Sequence, residues 1–404
     1  MRISKTEMMN FKQYTIKDLA EVFSGYAFST IEMESNGVPI LKIGNIQNHQ
    51  ITKETDSFYS NLISSKLSKY ILQRGDFLIA MTGAGSVGKS GKMVDFETPF
   101  LINQRVAIVR ANPEKVDPVF LFYFYSLDHI ERFLYGLGIG AGQPNISAND
   151  ISGIKALFPS LRAQQQIASI LSAYDSLIEN NNKRIKILEQ MAENLYKEWF
   201  VRFRFPGHET TPIENGIPHG WDYKPLFKVA SVSYGYTFKS ELFCEDSSLK
   251  PVVRIRDILD NKTNTYTSEE CDEKYLISKH SILVGMDGIF HMCLWNGSTA
   301  YLNQRVVKID SIEKDICNYL LYFAIRPQVK FWEQTISGTT VAHLGDKHLK
   351  KMSVLVPPKE LLQVINRQMK AFMEEKNSLF IANQNLIKQR DLLLPRLMSG
   401  KLAV

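Results

Sequence analysis

Cysteine is scarce in this chain. Only 4 occur in 404 residues, Cys244, Cys271, Cys293 and Cys317, all in the second half and far apart. With no CxxC pair, neither a zinc ribbon nor a dithiol redox centre can be assembled from them, and we read them as reduced, packed thiols. Long apolar runs are missing as well: the longest, Val119 to Leu127, falls far short of the roughly 20 residues that span a bilayer. The stretch Met1 to Gln13 mixes charges and has no signal-peptide core. A cytoplasmic protein that does not enter membranes is the expectation.

Catalytic signatures are equally thin. The chain has no Asn/Asp-Pro-Pro-Tyr block of amino-methyltransferases, no HExxH helix and no GxSxG elbow. Its histidines, His280, His291, His343 and His348 among them, lack the spacing of metal ligands. Gly83-Ala84-Gly85-Ser86-Val87-Gly88-Lys89-Ser90 does satisfy the P-loop pattern GxxxxGK[ST]. That chemistry needs a helix starting at the lysine, whose N-terminal amides hold phosphate. Gly91-Lys92-Met93-Val94-Asp95-Phe96 and Pro99 follow instead and read as strand and turn, so we expect a β-turn.

What the chain does have is two copies of itself. Gly25, Tyr26 and Phe28 return 210 residues later as Gly235, Tyr236 and Phe238. Pro39-Ile40-Leu41-Lys42-Ile43 matches Pro251-Val252-Val253-Arg254-Ile255, and Asn103-Gln104-Arg105-Val106 returns unchanged as Asn303-Gln304-Arg305-Val306. Offsets that drift only between matched blocks are what loop insertions in a shared scaffold produce. Short runs rich in branched and aromatic residues, such as Asp76 to Met81 and Gln104 to Val109, predict strands. Helical stretches near Pro118 to Leu134 and Ile316 to Gln334 make each copy mixed α/β.

Both copies end in a long polar helix. Ile167, Leu171, Tyr174, Ile178, Asn181, Ile185, Leu188, Ala192, Leu195 and Trp199 keep a 4,3 spacing throughout, the pattern of a coiled-coil seam. The second seam runs through Ile365, Met369, Phe372, Lys376, Leu379, Asn383, Leu386, Arg390, Leu393 and Leu397 and is more polar. The simplest partner of each helix is the other. Antiparallel pairing with Asn181 opposite Asn383 sets Ile167 against Leu397, Leu171 against Leu393 and Trp199 against Ile365, and the two asparagines would fix the register. Asparagines on solvated edges are the alternative.

Several segments then carry a resemblance. They are Gly75-Asp76-Phe77-Leu78-Ile79, the loop Gly142-Gln143-Pro144-Asn145-Ile146, the run Pro159 to Ile170, Glu198-Trp199-Phe200-Val201-Arg202-Phe203 leading to Phe205-Pro206-Gly207, and Leu393-Leu394-Pro395-Arg396-Leu397-Met398-Ser399-Gly400. In this order the chain resembles, over essentially its whole length, the specificity subunit of Type I restriction-modification systems. The second copy departs from the pattern, with Thr340-Val341-Ala342-His343 in place of the GQPN wording and Lys376 and Arg390 in its seam.

The resemblance implies an α/β fold with an internal pseudo-twofold repeat: target recognition domains at 1–160 and 206–358, and spacer helices at 161–205 and 359–404 forming a long antiparallel two-helix coiled coil. It implies a non-catalytic subunit that binds double-stranded DNA, each globular domain reading half of a bipartite asymmetric site. A helix of about 40 residues is roughly 60 Å long, against about 34 Å between successive major-groove faces, so the pair could serve as a ruler. The helices, through residues such as Tyr174, Trp199, Phe372 and Leu393, would dock two copies of an adenine-methylating modification subunit, with a restriction/translocase subunit joining. S-adenosylmethionine, ATP and Mg would belong to those partners and no cofactor to this chain.

For DNA, Lys and Arg supply affinity on phosphates while Arg, Asn and Gln read base edges. Candidates are Lys42 and Asn45 in the first copy, Arg254 and Arg256 in the second, Lys89 and Lys92 in the glycine-rich turn, and Lys239 beside Phe238; a solvated basic surface is the plainer reading of each. Arg105 and Arg305, inside the shared NQRV, are read as structural. Two rival functions are a coiled-coil adaptor that does not touch DNA and a P-loop NTPase or nuclease.

Overall fold

The computed structural model describes residues 11–404 other than 61, 95, 97, 98, 141, 337–341 and 403. Residues 1–10, Asp95, Thr340 and Val341, used above, lie outside the described residues. Two compact units emerge. The first comprises residues 1–179 with 383–404, the second residues 180–382.

In the first unit a sheet runs, in spatial order, Ala20–Ser24, Val106–Ala111, Phe77–Ala80, Ser90–Lys92, Gln50–Ile51 and Ile46–Gln47. The second unit repeats the first four positions with Ala230–Tyr234, Val306–Ser311, Ile282–Gly285 and Met292–Leu294. All four residues of Phe77–Ala80 are buried because both faces of the sheet are covered. Strand side chains alternate in direction. Phe77, Ile79, Ala107 and Val109 therefore pack under the helix Pro118–Tyr125, while Leu78, Ala80, Val106 and Ile108 meet Leu41, Leu72 and Phe100 on the other side. Ile282, Val284, Val307 and Ile309 divide from Leu283 and Val306 in the same way.

A second small sheet in each unit contains a parallel pair, Val38–Leu41 with Leu101–Ile102 and Lys250–Val253 with Ala300–Leu302. Each unit also joins its ends by an antiparallel pair, Lys12–Thr15 with Lys155–Phe158 and Asp222–Pro225 with Ser353–Val356.

The helix Pro118–Tyr125 starts where the sequence dictates: Pro118 occupies its first turn and the Asp117 carboxylate accepts from the amides of Val119 (3.0 Å) and Phe120 (2.8 Å). The helix expected through to Leu134 breaks at Ser126, whose hydroxyl donates to the Phe122 carbonyl at 3.0 Å and lies 3.2 Å from Ser90 Oγ. A second helix, Asp128–Gly138, follows. The other unit has Arg326 at this position and one helix, Asn318–Thr335.

The glycine-rich segment is a turn. Gly83, Gly85 and Gly88 all have positive φ, and Ser90–Lys92 leaves the turn as a strand, so no helix amides follow Lys89. At Gly88 a Cβ would stand 2.9 Å from the Glu131 carbonyl oxygen; only glycine lets the turn lie against that helix.

The long helices are Leu161–Tyr196 and Lys359–Met398. Each unit holds a stretch of both, packed antiparallel. In the first, the buried Ile167, Leu171 and Leu397 pack with the half-buried Leu393, and the Asn383 amide donates to the Ile178 carbonyl at 3.4 Å. In the second, Trp199 and Ile365 share one core, Lys376 pairs with Glu189 at 2.6 Å, and Arg184 pairs with Glu375 at 2.6 Å. Thus Lys376, a charge in the seam, is met by a carboxylate. Asn383 is buried and Asn181 half-buried. No helix among the described residues is long and apolar enough to cross a membrane.

Candidate nucleic-acid interface

In both units the end of the parallel strand, the Asn-Gln-Arg turn and the glycine-containing turn come together. Asn103 N donates to Leu41 O (3.0 Å) and Asn303 N to Val253 O (3.2 Å), setting each turn beside the basic residue that follows, Lys42 or Arg254. Met81 N donates to Arg105 O and Met286 N to Arg305 O, both at 3.0 Å, which ties the same turn to the strand end that opens the glycine segment. A fourth loop closes the group: Thr82 bridges Asn145, and Asp287 bridges His343. The GQPN and Ala342-His343 loops are therefore equivalent although their wording differs.

Lys42 is partly exposed, with Nζ 3.4 Å from the exposed Asp56. Asn45 is buried, and its capacity is spent internally. Its side-chain oxygen accepts from Lys42 N at 2.9 Å, and its amide donates to the carbonyls of Thr52 (3.1 Å) and Glu54 (2.7 Å). It shapes the loop that presents Lys42, and both of its amide hydrogens are used inside the protein. Its counterpart is Asp257, which accepts from Arg254 N at 2.8 Å. Arg254 is half-buried over the Phe243 ring at 5.4 Å, whereas Arg256 is exposed. Lys239 and Lys89 are exposed.

Lys92 is placed elsewhere. Its ammonium pairs with Asp175 on the helix Leu161–Tyr196 at 2.8 Å, lies 3.4 Å from the Tyr123 hydroxyl and sits over the Phe122 ring at 4.9 Å. Asp175 also accepts from Tyr123 (2.6 Å) and from Arg390 of the helix Lys359–Met398 (2.8 Å). Burial pushes the Asp175 carboxyl up, but the Lys92 charge and bonds from Lys92, Tyr123 and Arg390 outweigh it and hold the group below its ordinary value. Burial, and then Asp175, raises Tyr123. The lysine is thus committed to structure, on the wall of a cavity of about 630 Å³ also lined by His49, His129 and Arg132.

Arg105 and Arg305, read from sequence as structural, are exposed, Arg305 by 57% of its side chain. That reading came from their identity in the two copies, since readers of different half-sites should differ where they touch bases; the turn places both side chains outward. Trp199, expected at a docking surface, is buried among Phe205, Trp221 and Ile365, while Tyr174, Phe372 and Leu393 are half-buried. The large apolar side chains that the two long helices expose most are others: Leu177 (52%) and Leu392 (62%) in the first unit, Ile187 (58%) and Met191 (48%) in the second. Leu177 and Met191 immediately precede seam residues Ile178 and Ala192, so a second heptad stripe was the available signal. No group of three or more His, Cys, Asp or Glu able to hold a metal exists among the described residues.

A duplicated scaffold presenting cationic loops at the same place in each copy defines a two-unit binding protein. Residues 8–190 and 218–389 match the family model of the Type I restriction modification DNA specificity domain, and the chain belongs to that family. It is similar to the MjaIX specificity subunit of Methanocaldococcus jannaschii, 25% identical over 96% of this chain and 93% of that protein. It is also similar to the HindI specificity subunit of Haemophilus influenzae, 22% identical over 98% and 100%. The S subunit of a Type I system from M. genitalium shares the fold, with a TM-score of 0.58 at 14% identity over 98% of both chains. In such enzymes the specificity subunit is not the catalytic one.

Proposed function

We propose that this chain lends DNA sequence specificity to a cytoplasmic Type I restriction-modification complex, each unit reading one half of a bipartite, asymmetric duplex site. What carries the reading is the equivalence of the two loop clusters: Lys42 beside Arg105, and Arg254 beside Arg305, on one scaffold. Phosphate affinity needs such cations, and two readers with different neighbouring side chains suit two different half-sites.

The helices then set the spacing of the half-sites. Their exposed Leu177, Leu392, Ile187 and Met191 offer docking for two copies of the modification subunit and for the restriction/translocase subunit. S-adenosylmethionine, ATP and Mg act in those partners, where adenine is flipped out and methylated. Co-expression with the cognate modification subunit, followed by mapping of methylated adenines, tests this: one split motif with a constant gap is expected. Unsplit or absent methylation would overturn it.

A further inference from the structure

Among the described residues, an exposed motif that is word-for-word identical in the two units is Gln-Arg at positions 104–105 and 304–305. Its backbone is held identically as well. Tyr26 N donates to Ile102 O and Tyr236 N to Leu302 O; Val106 N closes on Asn103 O and Val306 N on Asn303 O. The asparagine side chain accepts from the turn, from Arg105 N in one unit (3.1 Å) and Gln304 N in the other (2.7 Å). Gly25 and Gly235 make this possible, since a Cβ at either would lie within 2.4 Å of an asparagine carbonyl oxygen. A rigid platform thus presents one guanidinium per unit beside Lys42 or Arg254.

Around this constant feature the surroundings differ. Thr82 and Asn145 stand in the first unit where Asp287 and His343 stand in the second. There Asp287 pairs with His343 at 2.6 Å and with Arg305 at 3.3 Å. Readers of two different half-sites must diverge where they touch bases and can agree only on what every duplex shares. That shared element is the phosphodiester backbone. On the reading of the protein as a DNA-specificity subunit, we infer that Arg105 and Arg305 are matched backbone clamps, each gripping a phosphate of its own half-site and setting the register in which neighbouring loops meet the bases.

A protein partner seen twice would also favour identical residues. The exposed pair is polar and cationic and adjoins a second cation in each unit, which favours the phosphate.

The test uses the full chain assembled with its modification subunit and carrying Arg105→Ala, Arg305→Ala, both, or Arg105→Lys. Duplex affinity is measured between about 50 and 200 mM salt for the cognate site and for random DNA. Each alanine should weaken both duplexes by the same factor, about five- to tenfold near 0.1 M, and lower the log–log salt slope by about 0.9. The methylated motif should stay unchanged, and Arg105→Lys should keep the slope. Relaxation at a single base pair would make the arginine a base reader and overturn the proposal. So would unchanged affinity with reduced recovery of the modification subunit, which would assign the turn to that partner. A wild-type complex with no preference for any duplex would instead defeat the functional reading beneath it.

Discussion

Asp175 accepts a hydrogen bond from Arg390 at 2.8 Å, joining the two long helices inside the first unit by one half-buried ion pair. Lys92 and Tyr123 reach the same carboxylate, so four elements converge on one group. The second unit builds the equivalent place from Leu294, Phe323, Met373 and Ala192, all within or against its apolar core.

Removing the carboxylate alone should be costly, because Asp175→Ala leaves the partly buried Lys92 without its anion and Arg390 with the exposed Asp391 alone. A loss of about 3 kcal/mol of stability is expected, measured by thermal denaturation. Replacing all four groups by their counterparts, Lys92→Leu, Tyr123→Phe, Asp175→Met and Arg390→Ala, should be far milder, since apolar packing substitutes well for a buried charge network. The Asp175 value lies below the ordinary 3.8, so its contribution is complete above that value and is lost as pH falls through the folded one.

Glu131 behaves oppositely. Burial pushes its carboxyl up to about 7, so the folded state favours the protonated form; stability is highest below the ordinary value of 4.5 and falls as pH rises through 7. His49, 3.6 Å away, is lowered by burial and then by the charge of Arg390, so it resists the proton that would compensate. Glu131→Gln should therefore stabilise the protein at pH 8 by on the order of 1–2 kcal/mol and change little at pH 5, read from melting temperatures at the two values.

Lys42→Ala and Arg254→Ala should act on separate halves of the site. Methylation of plasmids carrying single-base variants reads this directly: each substitution should alter tolerance in one half-site only. Equal loss across both halves would return these residues to general phosphate binding.

Leu177→Asp and Ile187→Asp place charge on exposed apolar positions without touching either seam. Both should reduce co-purification of the modification subunit at least several-fold while leaving the melting temperature within a degree or so. A parallel drop in stability would mean that these residues belong to the fold.

Repetition and heptad spacing were legible because both are periodic: blocks such as NQRV and the 4,3 seam need no tertiary context to be seen. The antiparallel pairing of Ile167 with Leu397 and of Trp199 with Ile365 followed from that spacing and holds within each unit. What could not be read was the direction in which a side chain leaves its loop. Lys92 and Asn45 look like DNA-reading residues in sequence, yet one faces Asp175, 83 residues away, and the other folds back on Thr52 and Glu54. Arg105 was read as structural because both copies share it while readers of different half-sites should differ where they touch bases, and the turn at Asn103 carries its side chain outward. The contact of Ser126, where the helix breaks, with Ser90 is likewise invisible along the chain.

The Lys92–Asp175–Arg390 cluster also limits how such a protein can be recombined. A globular segment grafted from a relative brings its own side chain at position 92, whereas Asp175 and Arg390 stay behind on the recipient's helices. An apolar newcomer would strand the carboxylate with one cation fewer, and the native segment moved onto Met373 and Ala192 would bury its ammonium against hydrocarbon. Interchangeable parts in this scaffold thus come keyed, and a working chimaera must carry the lock along with the key.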